Sequence, residues 1–310
     1  VSSLRSGVKY VAERVIASSS GAALSRRKFR QRVLVLAYHN IVPTGSRQVG
    51  DKSLHLPQSV FAEQLDSLLE THDVVPLQDV LLGCGKEDLP HERPRAAITF
   101  DDAYEGAVTV GVHELRVRGL PATVFASPGF LAGKSFWWDM LADPATGLND
   151  ELRTRVLSEA RGLSAEAVDL AGRAGVKRNE VPGYACGVSI SDLTAALRYD
   201  KLSMAAHTWN HPNLTTLSDS DLVAELARPM EWLNAFGNRA LPMISYPYGL
   251  ADRRVMDASR DAGYTAGFMI DGGWTTPGAV DPFSIPRLNI PAGISRDGFI
   301  LRTSGLIQGR

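Results

Sequence analysis

The sequence predicts an α/β fold built on a parallel sheet, open or closed into a barrel, and two observations carry that expectation. Short apolar runs with β-branched residues recur at 33–38, 96–100, 122–126, 202–206, 243–246 and 264–270, and runs of that length read as buried strands. Segments with helical spacing lie between them. Strand and helix in alternation give a parallel sheet, with ligands at the C-terminal ends of its strands.

Residues 1–32 carry basic groups throughout and read as a helical, basic leader. Within it, 8–16 has amphipathic spacing, and the run Ser25-Arg26-Arg27-Lys28-Phe29-Arg30 suits either a membrane surface or a solvated leader packed on the domain. No apolar stretch followed by a small-residue cleavage site marks a secretory signal, and none approaches the ~20 apolar residues of a membrane span. The expectation is a cytoplasmic chain, with at most peripheral contact at the inner face of a membrane.

The domain proper is expected over 33–310. Its first strand, 33–38, is followed by a helix over 60–70 that sets Phe61, Leu65, Leu68 and Leu69 on its apolar side. Strand 96–100, helix 107–118 and strand 122–126 continue the rhythm. Residues about 137–199 break it: 151–174 is rich in Ala, Leu, Arg and Glu and holds no convincing strand. This reads as a helical insertion, a lid or substrate wall, or else as a long crossover. After strand 202–206, a helix over 219–236 takes Ser218 or Asp219 as its N-cap, and strands 243–246 and 264–270 follow.

Composition narrows the partners. Lys plus Arg (33) nearly cancels Asp plus Glu (34), so charge gives no reason to expect nucleic acid, while a neutral glycan fits. Two distant cysteines, Cys84 and Cys186, without a CxxC, support neither a thiol metal site nor a disulfide framework.

Chemistry concentrates at strand ends. Thr99-Phe100-Asp101-Asp102 places two carboxylates where a strand meets a loop; adjacent strand residues face opposite ways, so both serve one site only if the chain turns there. Alone, the pair would read as a turn and N-cap. His207-Thr208-Trp209-Asn210-His211-Pro212 follows another strand and spaces two histidines to converge on one ion from a single turn or tight loop. A carboxylate and two imidazoles form a three-ligand set with open positions, and the second carboxylate is then free as a base.

With both motifs in order, the chain resembles the polysaccharide deacetylase, or NodB-homology, family of carbohydrate esterases, through TFDDAY and HTWNHPNL. The resemblance spans 33 to about 290. It implies a distorted (β/α) barrel, Asp101 as catalytic base, and Asp102, His207 and His211 as ligands of a divalent metal, usually Zn2+. Ser245-Tyr246-Pro247-Tyr248-Gly249 resembles the third motif, in which a backbone N–H, here that of Tyr248, helps hold the oxyanion.

Two departures matter. Many members begin the third motif with an arginine that orients the base, where this chain has Ser245; Arg287, after the last strand, is the expected substitute, its alternative being a structural salt bridge. No histidine follows 270, whereas the family's final motif supplies one as general acid. Tyr38-His39-Asn40-Ile41 resembles the YHxI opening of exopolysaccharide-associated members, in which this histidine takes that role, and first and last strands are neighbours in a closed barrel. His39 is therefore the candidate acid, against a simple strand-end cap.

Trp138, in Trp137-Trp138-Asp139, and Trp274 offer aromatic area for stacking on sugar rings, with core packing as the ordinary alternative. Trp274 aligns loosely with the hydrophobic motif of the acetyl pocket, and Asp271 before it either contacts a histidine or starts a turn with Gly272 and Gly273. The expected reaction is hydrolysis of an N-acetyl group on an amino sugar. The competing readings are an O-acetyl esterase, another amidase on the same metal site, and a non-catalytic glycan-binding domain.

Overall fold

The structure is a computed structural model that describes residues 20–81 and 92–307; the amphipathic segment 8–16 and Cys84 lie outside the described residues. Its elements follow in order: α1 (Ser20–Lys28), β1 (Val33–Tyr38), β2 (Asn40–Val42), β3 (His55–Pro57), α2 (Gln58–Thr71), β4 (Asp73–Val74) and β5 (Arg95–Phe100). A π-turn over Ala107–Gly111 leads into α3 (Val112–Arg118), then β6 (Ala122–Ala126). Four helices occupy the next stretch without a described strand: α4 (Trp137–Met140), α5 (Asp150–Glu159), α6 (Ser164–Arg173) and α7 (Ile190–Ala196). The chain ends with β7 (Leu202–Ala206), α8 (Asp219–Leu233), β8 (Ala240–Ser245), α9 (Arg253–Asp261), β9 (Ala266–Phe268), β10 (Trp274–Thr275), β11 (Leu288–Asn289) and α10 (Arg296–Thr303).

The strands order as β10-β1-β5-β6-β7-β8-β9, parallel except for β10. The sheet curls until its ends meet: Ile285 bridges Phe268, and β11 pairs in parallel with Leu36 and Ala37 of β1. Closure through one short segment is what makes this (β/α) barrel distorted.

Alternation along the strands sorts residues into two sets. Val33, Val35, Ala97, Phe125, Ala205, Met243, Ala266, Phe268 and Ile285 pack together inside the barrel, with Leu77 and Val80. Leu34, Leu36, Ile98 and Phe100 pack outward under the helices, against Phe61, Leu65 and Leu68 of α2. Each buried Val, Leu, Ile, Met or Phe among them contributes about 1.5–3 kcal/mol, so the lower strand halves hold the barrel shut and the C-terminal ends are free to carry polar groups.

Ser218 caps α8 by accepting the Asp221 N–H, as its sequence position predicts. Cys186 is a buried free thiol. Among the described residues no helix is long and apolar enough to cross a membrane.

Candidate active site

The two-residue period that fills the barrel with Val35, Ala97, Ala205, Met243 and Ile285 continues upward to His39, Asp101, His207, Ser245 and Arg287. Strands β1, β5, β7 and β8 and the 285–287 segment before β11 thus deliver five polar side chains to one end of the lumen. There a cleft of about 300 Å3 is lined by His39, Asp101, Asp102, Trp138, His207, His211 and Tyr248, together with Ser53, Asp150, Arg153 and Asn289.

Asp102 joins Asp101 because the chain turns at the strand end: Asp102 has φ +71° and Ala103 φ +58°. Thr208, His211 and Tyr248 are likewise left-handed, at +63°, +55° and +60°. Five of the seven described non-glycine residues with positive φ therefore belong to the three motifs. Such conformations cost on the order of 1–3 kcal/mol each and persist where the surroundings enforce them. Glu225 of α8 is one enforcer, accepting the N–H groups of Trp209 (2.9 Å) and Asn210 (2.8 Å) and the Asn210 side-chain amide (2.6 Å). Gly129 is another, since a Cβ there would meet the Trp209 carbonyl oxygen at 2.5 Å.

Asp102, His207 and His211 bring one ligand atom each within 4.8 Å of one another, all three side chains buried. His207 Nδ1–H donates to the Ser245 carbonyl (2.8 Å), which leaves its Nε2 lone pair facing the cluster. That Nε2 lies 3.1 Å from His211 Nε2 and 3.6 Å from Asp102 Oδ1, and His211 Nε2 lies 3.2 Å from the same oxygen. Burial lowers the His207 imidazolium to about 4, so the ring is neutral at pH 7. Burial opposes ionisation of Asp102, but His211 and His207 outweigh it and the carboxyl stays below its ordinary range. Asp102 Oδ1 has no hydrogen-bond partner among the described residues. The inward lone pair of His207 Nε2, the adjacent His211 Nε2 and the Asp102 carboxylate oxygen between them form a donor set that fits a divalent cation.

Asp101 is held differently. Arg287 donates Nη1–H to Oδ1 and Nη2–H to Oδ2, both at 2.7 Å. Arg287 also reaches Thr99 Oγ1 (3.1 Å), the Met269 carbonyl (3.1 Å) and Ser245 Oγ (2.6 Å), and the Ser245 hydroxyl in turn donates to Asp101 Oδ2 (3.3 Å). The small Ser245 thus leaves space at the head of the third motif for a guanidinium arriving from elsewhere in the chain. Burial disfavours the Asp101 anion, yet Arg287 and His207 override it and hold the carboxyl well below the usual carboxylate range.

His39 lines the cleft beside both carboxylates. Tyr248 is fixed through its hydroxyl, which accepts Trp137 Nε1–H (3.1 Å) and lies 3.3 Å from the Gly162 and His211 carbonyls. Trp138 forms a wall, its ring 4.8 Å from that of His211 and its Nε1–H donated to Tyr104 Oη (2.7 Å).

Trp274 is not brought to the cleft, and its expected place there is corrected. Past exposed Asp271, the Gly272–Gly273 turn, with Gly273 at φ +139°, sends the chain back antiparallel to β1, so Trp274 pairs with Leu34 at the opposite end of the barrel. Its ring packs on Phe29 (4.5 Å) and His72 (5.9 Å).

Sequence reasoning missed the network behind the wall. Asp139, fully buried, accepts from His55 Nε2–H (2.8 Å), Tyr104 Oη–H (2.7 Å) and the Asp51 N–H (2.9 Å), and Asn40 Nδ2–H donates to His55 Nδ1 (2.9 Å). A carboxylate directly after two tryptophans was a readable signal. Glu225, in register with buried Leu222 and Leu226 of α8, was another.

Residues 88–267 match the family model described as polysaccharide deacetylase. Chitin deacetylase 3 of Cryptococcus neoformans is 43% identical over 53 residues, 17% of this chain and only 13% of that protein. Among solved structures, a Streptococcus pyogenes deacetylase in complex with acetate has a TM-score of 0.60 at 17% identity, over 87% of this chain and 97% of its own. IcaB from Ammonifex degensii gives 0.59 at 17% identity, over 88% and 95%. A de-N-acetylase from Aggregatibacter actinomycetemcomitans gives 0.60 at 16%, over 86% and 98%. At these identities the structures speak for the fold.

Proposed function

The chain belongs to the polysaccharide deacetylase family, and from that membership we propose that it is a metal-dependent hydrolase of the N-acetyl group on an amino sugar, in a polysaccharide or glycan precursor. The observation that carries this reading is the pairing of two unlike sets in one cleft. Asp102, His207 and His211 converge as a ligand triad, and Asp101 stands beside them, its Oδ2 4.0 Å from His207 Nε2, locked by Arg287.

In this mechanism Asp102, His207 and His211 would hold a divalent ion, most readily Zn2+, which would supply Lewis acidity for the acetyl carbonyl and for water near neutrality. Asp101, kept ionised by Arg287 and Ser245, accepts the proton of the attacking water. The Tyr248 backbone N–H donates to the oxyanion that develops on the acetyl oxygen. His39 in its protonated form delivers a proton to the departing nitrogen, because an amide anion is a very poor leaving group. Water and the acetamide give acetate and a free amine. Trp138, which lines the cleft beside His211, provides a face for the sugar ring.

The test is acetate release from N-acetylated amino-sugar substrates by purified protein, before and after chelation and zinc restoration, beside Asp101→Asn. Release that follows zinc and disappears in Asp101→Asn supports the reading. Release that is indifferent to chelation, or that survives Asp101→Asn, refutes it.

A further inference from the structure

The cleft's volume, about 300 Å3, stands at the low end of ligand sites, which run from ~300 to 1,000 Å3. A sugar unit next to the reacting one must therefore lie at the mouth. One side of that mouth is the first turn of α5, from the helical stretch between β6 and β7. It presents Asp150 and Arg153, three residues apart and so on one helix face, both lining the cleft together with Ser53 and Leu54.

Arg153 is mounted and only partly used. One arm, Nη2, donates to Asp51 Oδ2, while Arg153 keeps 34% of its side chain exposed and Asp51 only 6%. Asp51 is itself fixed: its N–H donates to Asp139 Oδ1 (2.9 Å), and its Oδ1 accepts from Ser53 Oγ–H (2.7 Å) and Ser53 N–H (3.2 Å). The remaining N–H groups of the guanidinium have no hydrogen-bond partner among the described residues. A guanidinium offers five donors in a rigid fork, so an anchored arm leaves the others aimed with little entropy left to lose. Asp150 beside it supplies acceptors, and donor next to acceptor suits neighbouring sugar hydroxyls. Around the cleft, Asp51, Asp101, Asp102 and Asp150 stand against Arg153 and Arg287. Four carboxylates against two guanidiniums is an excess a divalent cation would cancel, so the site suits a neutral ligand better than a phosphate.

We propose that Arg153, steadied by Asp51, binds the sugar unit adjoining the one that is deacetylated, so that the substrate is a neutral glycan chain of two or more units and not a monosaccharide or sugar phosphate. This rests on the deacetylase reading above.

The experiment compares wild type with Arg153→Ala on three substrates: an N-acetylglucosamine tetramer, N-acetylglucosamine 1-phosphate, and an aryl acetate that reports the chemistry without the glycan. Tetramer binding to Asp101→Asn, with and without Arg153→Ala, is measured by calorimetry. Expected is a roughly tenfold rise in KM and in Kd for the tetramer, ~1.4 kcal/mol, with the aryl acetate unchanged. Arg153→Lys, which keeps the charge and loses the fork, should fall between, and Asp51→Asn should move in the same direction as Arg153→Ala. Equal losses on tetramer and aryl acetate, no loss on the tetramer, a loss confined to the sugar phosphate, or no tetramer binding would each overturn the proposal. Arg153-dependent tetramer binding in a protein that releases no acetate would keep this subsite and remove the deacetylase reading. Acetate release indifferent to Arg153 would do the reverse.

Discussion

Arg287 grips Asp101 with both arms of its guanidinium, Nη1 to Oδ1 and Nη2 to Oδ2 at 2.7 Å each, with neither side chain more than 1% exposed. Breaking a buried pair by removing one partner strands the other charge and costs about 3–5 kcal/mol. Arg287→Ala should lower the melting temperature and cripple turnover. Asp101 would lose the main group that holds its carboxyl low, so the acidic limb of the pH–rate profile should move to higher pH. Zinc content should stay near wild type, because Arg287 makes no hydrogen bond or ion pair with Asp102, His207 or His211. Arg287→Lys keeps the charge on one arm and should be intermediate. Turnover unchanged in Arg287→Ala would dismiss the orienting role.

Much of this site can be read from the sequence because one rule carries it. A buried strand alternates, so the residues in step with Val35, Ala97 and Ala205 had to reach the lumen's end as His39, Asp101 and His207. What stayed hidden depended on the path between elements. That Ser245 gives up space to Arg287 follows from β11 closing the barrel against β1. That Asp51 anchors Arg153 follows from the helical stretch folding over the loop before β3. Trp274 went astray for the same reason: the Gly272–Gly273 reversal sends it down the barrel, and strand order alone does not say which way a chain leaves its last strand.

As the proposed general acid, His39 should divide amide from ester chemistry. An alkoxide or phenoxide leaves with far less help than a nitrogen anion, and a positioned general acid contributes roughly 10²–10⁴-fold. His39→Gln should lose on that order with an N-acetyl sugar and markedly less with an aryl acetate, zinc content being equal. Equal losses on both substrates would remove the acid role and leave His39 a positioning group.

Trp274 should behave as a structural residue. It packs on Phe29 and His72 at the barrel end away from the cleft, and it is only partly buried. Trp274→Ala should cost roughly 2 kcal/mol, less than the ~3–5 kcal/mol of a fully buried Trp→Ala. Denaturant midpoints measure the loss, and kcat/KM on a glycan substrate, taken well below the melting point, should not change. A KM that rises while stability holds would return Trp274 to substrate binding.

His72, beneath that ring, makes the fold sensitive to acid. Its Nε2–H donates to the Thr303 carbonyl (3.0 Å), and its Nδ1 lies 2.8 Å from Thr71 Oγ1. Burial is the main reason its pKa falls from 6.5 to about 4. Below pH ~6.5 the unfolded chain takes up a proton that the folded one refuses until about 4, so stability must fall as pH falls across that window. The contribution is complete above ~6.5, shrinks from 6.5 toward 4 and is gone below; at ~1.4 kcal/mol per unit it amounts to roughly 3 kcal/mol. His72→Gln keeps an amide N–H for Thr303 and removes the titration. Unfolding free energies at pH 7 and pH 4.5 should therefore lie closer together in the variant than in wild type. Parallel losses in the two proteins would place the acid sensitivity elsewhere.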